Sequence, residues 1–410
     1  MTVNAAAEFV VVGGGIGGLA AAYALGRQGQ AVRVLEAAPQ FGEIGAGIQL
    51  APNATQVLER LGLLPPVLDC SVLPSSLAFM DARTGERLTS VDLGRPFRER
   101  YGTPYVVLHR TDLHAILLEA CQREDRIALE VNRRVVLVDA DDERPTARCA
   151  DGSSYAGQAV IGADGLHSVV RTMVSTDEPV VSGYVAYRGA ISVANAHLHE
   201  FQDSMVYWWG PGLHLVQYKV RRGELYNQVG VFRSRVSDPD SEEFGSPAEL
   251  DEVFGSCCEP VRRGATLLER GMRWLMIDRD PLANWSRGRT TLLGDAAHPM
   301  LQYLAQGGCQ ALEDALCLAE MVASHDDVAE AFAAYQAVRI PHTSRVVNMA
   351  RTFGEMIHID GIGLALRNRL LAQHAADDFT ELDWLYFLQP TVALAQDGPP
   401  SPLDGSPSSR

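Results

Sequence analysis

Basic residues are scarce in this sequence, and their scarcity limits its partners. The 410 residues hold 35 Lys and Arg against 51 Asp and Glu, a net charge of −16. A protein that binds nucleic acid through its phosphates needs a basic face, so we exclude that class. Long blocks of like charge and a three-residue glycine period are also lacking, which argues against disorder and against collagen. The length favours about two to three globular domains.

Cysteine is sparse and forms no pattern. The seven cysteines are scattered, and none forms a C-x-x-C pair. An odd, scattered set indicates reduced thiols rather than a disulfide framework or a zinc site, and so favours the cytoplasm. His197 and His199 form an H-x-H without a third ligand nearby in sequence. We therefore predict no metal site.

A membrane segment is lacking as well. The uncharged run at residues 9–26 has the length of one, but six glycines interrupt it, whereas membrane helices consist of better helix formers. The preceding residues, MTVNAAAE, contain no basic residue, which a signal peptide requires. We interpret the run as a buried strand at 9–12, a glycine-rich turn and a helix at 16–28.

The glycine-rich turn has the spacing of a dinucleotide-binding loop. A strand at 31–36 completes a βαβ unit around the run GGGIGG. In such a unit Gly13 permits the tight turn, Gly15 lets the backbone approach a pyrophosphate, and Gly18 allows close packing of helix on strand. Glu36 is placed to accept the hydroxyls of an adenosine ribose. A glycine-rich turn without a ligand is the alternative, which the strand, the helix and the acid together disfavour.

Two further motifs follow buried strands. Asp164-Gly165 comes after the strand at 159–162, and Gly294-Asp295 after the strand at 289–293. Either motif alone would more often be a solvated turn with a helix cap. The glycine loop alone is also compatible with a simple NAD dehydrogenase. Disulfide reductases are excluded, because residues 40–64 hold no cysteine. All three motifs lie at the C-terminal ends of strands, where open α/β sheets bind ligands.

With these motifs the chain resembles the class A flavin-dependent aromatic hydroxylases, the single-component FAD monooxygenases, over nearly its whole length. The resemblance implies a non-covalent FAD whose ADP half lies on the glycine loop and Glu36. It implies NADH or NADPH as co-substrate, NADH being favoured, with no second nucleotide fold. The further residues to which it assigns cofactor binding are Ala37, Gly47, Arg110 (flavin), Val135 (near the adenine), Asp164 (near the pyrophosphate and the transient nicotinamide site) and Asp295 (ribityl chain).

Gly307 and Gly308 begin a long predicted helix that ends near Ser324. Helix N-terminal N–H groups can stabilise negative charge on the N1–C2=O edge of a reduced flavin. The family usually has G-Q-G-x-N here, whereas residues 305–309 read A-Q-G-G-C. The departure leaves open which amide contacts the flavin.

The pattern and the resemblance together predict an α/β fold, with a Rossmann-like FAD-binding domain of the glutathione-reductase type interrupted by a β-sheet substrate domain and followed by C-terminal helices. A single strand is predicted at 131–138, and hairpin turns at 210–212 and 222–223. The predicted divisions are 1–75, 103–178 and 272–355 for the FAD-binding domain, 76–102 and 179–271 for the substrate-binding domain, 356–395 for a C-terminal helical segment and 396–410 for a flexible tail.

The substrate side is indicated by the run LHLVQY at 213–218. Strand alternation places His214, Val216 and Tyr218 on one face. An isolated His–Tyr pair is more often two satisfied core residues. Gln302 favours a ligand, because it follows the Gly-Asp motif, near the expected flavin ring, where family members usually have Pro. The strings SGYVAYRG, GPGLHLVQY and LQYLA look most like 3-hydroxybenzoate 6-hydroxylases, with salicylate 1-hydroxylases as near relatives.

Hydroxylation of a phenol requires a base. A phenol with a pKa of about 10 is only about 0.1% ionised at pH 7, a cost of roughly 4 kcal/mol, and a phenolate reacts far faster with a flavin C4a-hydroperoxide. A histidine with a pKa of about 6.5 is a suitable acceptor. We predict His214 as this base, with Gln302 holding the oxyanion and Tyr218 binding the carboxylate or tuning His214. Arg188 is interpreted as a structural or interface ion pair, while Tyr105 and Tyr303 fit either pocket or core.

The predicted reaction is the NAD(P)H- and O₂-dependent hydroxylation of a small phenolic acid, with 3-hydroxybenzoate converted to gentisate as the leading candidate. A decarboxylating salicylate 1-hydroxylase that forms catechol shares every FAD motif. A non-hydroxylating FAD-binding redox protein is the alternative from another class. The sequence leaves open whether the C-terminal helices close a homodimer.

Overall fold

The computed structural model describes residues 8–42, 45–140, 143–195 and 203–389. The strands within these ranges are β1 (Glu8–Val12), β2 (Ala31–Leu35), β3 (Gly47–Leu50), β4 (Ser76–Asp81), β5 (Arg87–Asp92), β6 (Val106–His109), β7 (Ile127–Glu130), β8 (Val135–Asp139), β9 (Thr146–Cys149), β10 (Ser154–Ala156), β11 (Ala159–Gly162), β12 (Val180–Ser192), β13 (Met205–Gly210), β14 (Leu213–Val220), β15 (Leu225–Arg233), β16 (Trp274–Asp278), β17 (Ser286–Arg287) and β18 (Thr290–Leu292). The helices are α1 (Ile16–Arg27), α2 (Pro52–Arg60), α3 (Leu64–Cys70), α4 (Arg95–Tyr101), α5 (Arg110–Gln122), α6 (Pro247–Gly255), α7 (Glu259–Thr266), α8 (Gly307–Ser324), α9 (Val328–Ile357), α10 (Gly361–Leu371) and α11 (Asp383–Tyr386).

A six-stranded sheet in the order β17-β18-β11-β1-β2-β7 carries the glycine motifs. Its strands pair in parallel except β17. Phe9, Val10 and Val11 of β1 are fully buried, as expected for a parallel strand covered on both faces. Helix α1 packs against α8 and α5. The arrangement confirms the predicted βαβ unit and the α/β class.

A seven-stranded sheet in the order β16-β12-β15-β14-β13-β4-β5 forms the second layer. Its strands pair antiparallel except β13 with β4. Tight turns join β13 to β14 and β14 to β15, as predicted. Gly212 has φ of 68° in the first turn and Gly223 has φ of 88° in the second, values that favour glycine.

The predicted strand at 131–138 is confirmed only in its second half. The structure has β8 from Val135 to Asp139, in a three-stranded antiparallel sheet with β9 and β10, and residues 131–134 connect it to β7 of the six-stranded sheet. Asn132 lies between them with φ of 57°. Asn tolerates this left-handed conformation better than most residues, and the turn it makes directs the chain from one sheet to the other.

Helix α9 connects the two large sheets. Near its start Gln336 accepts hydrogen bonds from the backbone N–H groups of Trp285 and Ser286, beside β17. Just past its end, the carbonyl of His358 accepts a hydrogen bond of 3.0 Å from the N–H of Gly212 in the β13–β14 turn. No helix among the described residues is both long and apolar enough to cross a membrane.

A buried charge network joins α8, α9 and the turn after β18. The guanidinium of Arg339 donates to Asp314 at 2.6 Å and to Glu313 at 2.7 Å. Asp314 also accepts from the backbone N–H of Gly294 at 3.0 Å and contacts Nε2 of His298 at 2.6 Å. Burial alone would raise the pKa of Asp314, but His298 and Arg339 lower it to about 2.

The Arg339→Met substitution tests this network. Removing one partner of a buried ion pair leaves the other charges uncompensated, so we expect the free energy of unfolding to fall by about 3–5 kcal/mol. Chemical denaturation followed by circular dichroism measures it. The matched control is Arg123→Met, which removes an exposed ion pair with Glu119 on α5 and should cost less than about 1 kcal/mol. Equal losses in the two variants would contradict the assignment.

Candidate active site

A cavity of about 780 Å³ lies where the two large sheets and the start of α8 meet. This volume is within the range of small-molecule and cofactor sites. Every residue predicted for the site lines the cavity except Gly18. The predicted residues that line it are Gly13, Gly15, Glu36, Ala37, Gly47, Arg110, Val135, Asp164, His214, Tyr218, Asp295, Gln302, Gly307 and Gly308.

The glycine loop after β1 is packed too closely for side chains. Gly13 has φ of 105°, and a Cβ there would lie 2.3 Å from the carbonyl oxygen of Ala163. A Cβ on Gly18 would lie 2.0 Å from the carbonyl oxygen of Gly13. Gly18 therefore lets α1 approach β1 without itself facing the cavity, while Gly15 is the N-cap of α1.

Glu36 braces the loop from the end of β2. Its carboxylate accepts hydrogen bonds from the backbone N–H of Gly14 at 2.9 Å and of Ala38 at 2.7 Å. The residue also lines the cavity with Ala37, and Val135 at the start of β8 lies along the same end. The geometry puts an acceptor beside a helix N-terminus, which suits a ribose next to a phosphate.

The two aspartates of the later motifs differ in environment. Asp164 accepts hydrogen bonds from the backbone N–H of Val169 at 2.8 Å and of Val170 at 3.2 Å, and burial raises its pKa. Asp164 therefore braces its own turn. Asp295 is exposed to the cavity, and the described residues give its carboxylate no hydrogen-bond partner. Its oxygens are available to hydroxyl groups of a ligand.

The segment before α8 shows how the chain accommodates its departure from the family pattern. Ala305 has φ of 54°, a conformation that favours glycine and that stands where the family usually has Gly. The backbone is also tightly packed at Gly308, where an added Cβ would lie 2.9 Å from Cδ1 of Ile48. A Cβ on Gly47 would lie 2.5 Å from the hydroxyl of Tyr218. Glycine at these two positions lets the side chains of Ile48 and Tyr218 pack directly against the backbone of the cavity wall.

The cavity thus fits FAD. Its glycine loop at the N-terminus of α1 suits a pyrophosphate, and the exposed carboxylate of Asp295 suits the ribityl hydroxyls of that cofactor. Glu36, to which the resemblance gives the ADP half, and Gly47, Asp295 and Gly307, to which it gives the flavin side, all line this one cavity.

His214 lies on β14, lines the cavity and is buried. Its Nδ1 is 2.8 Å from Nε2 of His358, and the ring of Tyr303 contacts it edge-on at 5.6 Å. Burial lowers the pKa of His214 to about 3, well below the value of about 6.5 used in the sequence argument. The ring is therefore neutral at pH 7, so one of its nitrogens has a lone pair that can accept a proton.

Tyr218 and Gln302 complete the predicted polar set. Burial raises the pKa of Tyr218 to about 12, so its hydroxyl keeps its proton at neutral pH. Gln302 begins a short 3-10 turn, lines the cavity, and has no side-chain hydrogen bond within the described part of the chain. The sequence missed Gln49, whose side-chain oxygen accepts from the hydroxyls of Tyr105 at 2.7 Å and Tyr207 at 2.8 Å.

The interpretation of Arg188 as an ion-paired residue is wrong. Arg188 faces the cavity from β12, in one cross-strand row with Val229 and Val216. No carboxylate pairs with it among the described residues, and its buried Nε has no hydrogen-bond partner there. Its guanidinium lies 5.1 Å from the ring centre of Trp274. The strand alternation of YVAYRG could have indicated which face it takes, but not that a carboxylate is lacking.

The remaining candidates divide between pocket and core. Tyr303 lines the cavity, whereas Tyr105 is buried outside the lining. Within the described ranges, no group of three or more His, Cys, Asp or Glu side chains could hold a metal ion. His197, His199 and the predicted tail at 396–410 lie outside the described residues.

Comparison with known proteins gives the class of the site. A family model for an FAD binding domain matches residues 6–350. A 3-hydroxybenzoate 6-hydroxylase of Polaromonas naphthalenivorans (strain CJ2) is 39% identical over 395 residues, covering 95% of this chain and 98% of that protein. The 3-hydroxybenzoate 6-hydroxylase 1 of Aquipseudomonas alcaligenes is 41% identical, covering 92% and 97%. Klebsiella pneumoniae HpxO complexed with FAD and uric acid has a TM-score of 0.81 at 28% identity, covering 90% and 94%.

The protein is therefore an FAD-binding enzyme of the monooxygenase class. The chain belongs to the family of FAD-dependent aromatic hydroxylases, and FAD is its cofactor.

A Gly18→Ala substitution tests the packing of the dinucleotide loop. The new Cβ meets a backbone carbonyl that can move only with the loop, so we expect FAD affinity to fall at least about tenfold, a change of 1.4 kcal/mol. Titration of the apoprotein with FAD, followed by flavin fluorescence, measures the affinity. Gly255→Ala on α6 is the control, because nothing lies within 4 Å of its added Cβ. Unchanged affinity in Gly18→Ala would contradict the packing argument.

Proposed function

We propose that this enzyme hydroxylates 3-hydroxybenzoate at ring carbon 6 to give gentisate, with O₂ and NADH or NADPH as co-substrates. The observation that carries the proposal is that His214, Tyr218 and Gln302 line the same cavity as the glycine loop and Asp295. Three relatives at 39–41% identity bear the name 3-hydroxybenzoate 6-hydroxylase, which supports it.

FAD, which the glycine loop, Glu36 and Asp295 would hold, would supply the redox chemistry between NAD(P)H, O₂ and the ring. The chain activates the substrate. Neutral His214 accepts the phenolic proton, which leaves electron density on the ring. The amide N–H₂ group of Gln302 donates a hydrogen bond to the oxyanion, and the protonated hydroxyl of Tyr218 donates to the substrate. Burial of His214 and Tyr218 strengthens their hydrogen bonds to the substrate, because little water competes for them.

We assign the substrate carboxylate to Arg188. The net charge of −16 gives no general attraction for a benzoate, so a local cation has to provide it. Arg188 faces the cavity without a carboxylate of its own in the described part of the chain. The cation–π contact with Trp274 holds its guanidinium in place.

A panel of hydroxybenzoates tests the proposed reaction. We expect 3-hydroxybenzoate to stimulate NADH oxidation by the FAD-loaded enzyme most strongly and to yield gentisate, identified by mass and retention time. Catechol and CO₂ from 2-hydroxybenzoate would instead identify a decarboxylating hydroxylase. FAD absorbance without stimulation by any phenolic acid would contradict the proposal and leave a non-hydroxylating flavoprotein.

The Arg188→Met variant tests the carboxylate assignment. Loss of a hydrogen bond to a charged group costs about 1.5–3 kcal/mol, so the KM for 3-hydroxybenzoate should rise about 10- to 100-fold. The KM for neutral 3-hydroxybenzamide should change less than about threefold, since it has no charge to lose. Steady-state oxygen consumption gives both values. Arg235→Met, at an exposed ion pair with Glu252, is the control, and equal changes for both substrates would refute the assignment.

We place the reaction in the cytoplasm and propose a homodimer. All seven cysteines are unpaired, which supports a reducing compartment. On α10, Ile362, Leu366 and Leu370 are spaced four residues apart and are 83%, 57% and 69% exposed. Such an apolar row is unusual on a free surface, which supports contact with a second copy.

A further inference from the structure

His358 stands behind His214, away from the cavity lining. It follows the last residue of α9 and is buried, with its Nε2 2.8 Å from Nδ1 of His214. Its backbone is held at both polar groups, because its N–H donates to the carbonyl of Gly354 at 3.2 Å and its carbonyl accepts from the N–H of Gly212 at 3.0 Å. The side chain therefore approaches His214 from a fixed position.

Aromatic rings fix the plane of His358 as well. Tyr184 stacks on it at 4.5 Å with an angle of 17° between the rings. Tyr303 contacts both His358 and His214 edge-on, at 5.4 and 5.6 Å. Rotation of either imidazole would break these contacts. The rings therefore keep the orientation in which Nδ1 of His214 faces Nε2 of His358.

This hydrogen bond couples the tautomers of the two rings. A neutral imidazole has one N–H and one lone pair, and only one proton lies between Nδ1 of His214 and Nε2 of His358. If His214 donates, its Nε2 is a bare lone pair. If His358 donates, Nε2 of His214 carries the proton and cannot act as a base. Nδ1 of His358 has no hydrogen-bond partner among the described residues, so no third protein group selects the tautomer of the pair.

We propose that His358 is a positioning residue that accepts the Nδ1–H of His214 and so turns the lone pair on Nε2 of His214 toward the substrate hydroxyl. The inference rests on the proposed function, because the hydroxyl selects this tautomer by donating to Nε2. In the step itself the substrate O–H bond breaks, an N–H bond forms on Nε2, and the electron pair stays on the oxygen. The Nδ1–H remains hydrogen-bonded to His358 and shares the positive charge.

The groups around the pair make its pH dependence interpretable. Those that face it are Tyr184 on β12, Tyr303 before α8 and Arg367 on α10, whose guanidinium donates to the carbonyl of Ile357 at 2.7 Å. Burial, with contributions from His214 and Arg367, lowers the pKa of His358 to about 2. Neither imidazole titrates between pH 6 and 9, and burial keeps the hydroxyls of Tyr184 and Tyr303 protonated there.

Two variants of His358 test the proposal in the FAD-loaded enzyme. His358→Phe keeps an aromatic ring beside Tyr184 but cannot accept a hydrogen bond. With 3-hydroxybenzoate, we expect its kcat at pH 7 to be at least about tenfold lower, because the Nδ1–H of His214 loses its acceptor and the tautomer with a bare Nε2 is no longer stabilised, with KM within about threefold. Its kcat should rise about tenfold per pH unit from pH 7 to 9, as the hydroxyl ionises in water, while wild type stays nearly flat.

His358→Gln is the rescue, because its side-chain oxygen can reach the position of Nε2 and accept the proton of His214. We expect its kcat within about threefold of wild type and its pH profile flat. His342→Phe is the control, since it removes a partly buried histidine of α9, beside Trp384, and should leave the pH profile unchanged. FAD content is measured for each variant.

The outcomes separate the two proposals. Wild type that converts 3-hydroxybenzoate, together with a His358→Phe profile that is flat or lowered equally at all pH values, overturns the positioning role alone. Wild type that hydroxylates no phenolic acid overturns the proposed function and the inference with it. If His358→Phe loses FAD, the pH profile of kcat is instead compared between His358→Gln and His358→Asn, whose shorter side chain does not reach His214. Equal profiles in these two variants would refute the positioning role.

Discussion

One buried arginine holds the elements of the active site at fixed distances. Arg339 on α9 binds Asp314 and Glu313 of α8, and Asp314 also accepts from Gly294 in the turn that carries Asp295. A charge in the interior requires its partners, because separation would leave each ion without compensation. The N-terminus of α8 and the carboxylate of Asp295 that faces the cavity therefore keep one spacing.

Helix α9 extends this constraint to the substrate side. Its 30 residues span about 45 Å at 1.5 Å per residue, from the edge of the six-stranded sheet to the β13–β14 turn. The ends are attached through Gln336 and His358, respectively. A single rigid element thus sets how far His214 lies from the cofactor loop, and it delivers a histidine behind the proposed base. Helix α9 therefore helps to position both the cofactor loop and the proposed base.

Sequence reasoning succeeded where the chemistry is local. The loop at Gly13–Gly18, Glu36 and the motif at Asp295 each lie within a few residues of a strand end, and turn geometry limits which residues fit there. That His214 and Tyr218 lie on the same face of β14 followed from the two-residue period of a strand. Sequence reasoning placed the start of β8 four residues too early, at 131 instead of 135, because the pattern does not reveal that Asn132 takes a left-handed conformation in the turn between two sheets.

The sequence by itself determined the α/β class, the dinucleotide loop, the FAD-binding family and the side of the sheet that bears the polar set. Only the tertiary structure decided that Arg188 has no carboxylate partner among the described residues, that burial keeps His214 neutral, and that His358 lies beside it from 144 positions away in sequence. The physical reason is the separation in sequence over which each interaction acts. Turn conformation and strand alternation act between neighbours, whereas burial and ion pairing depend on which distant segments the fold brings together.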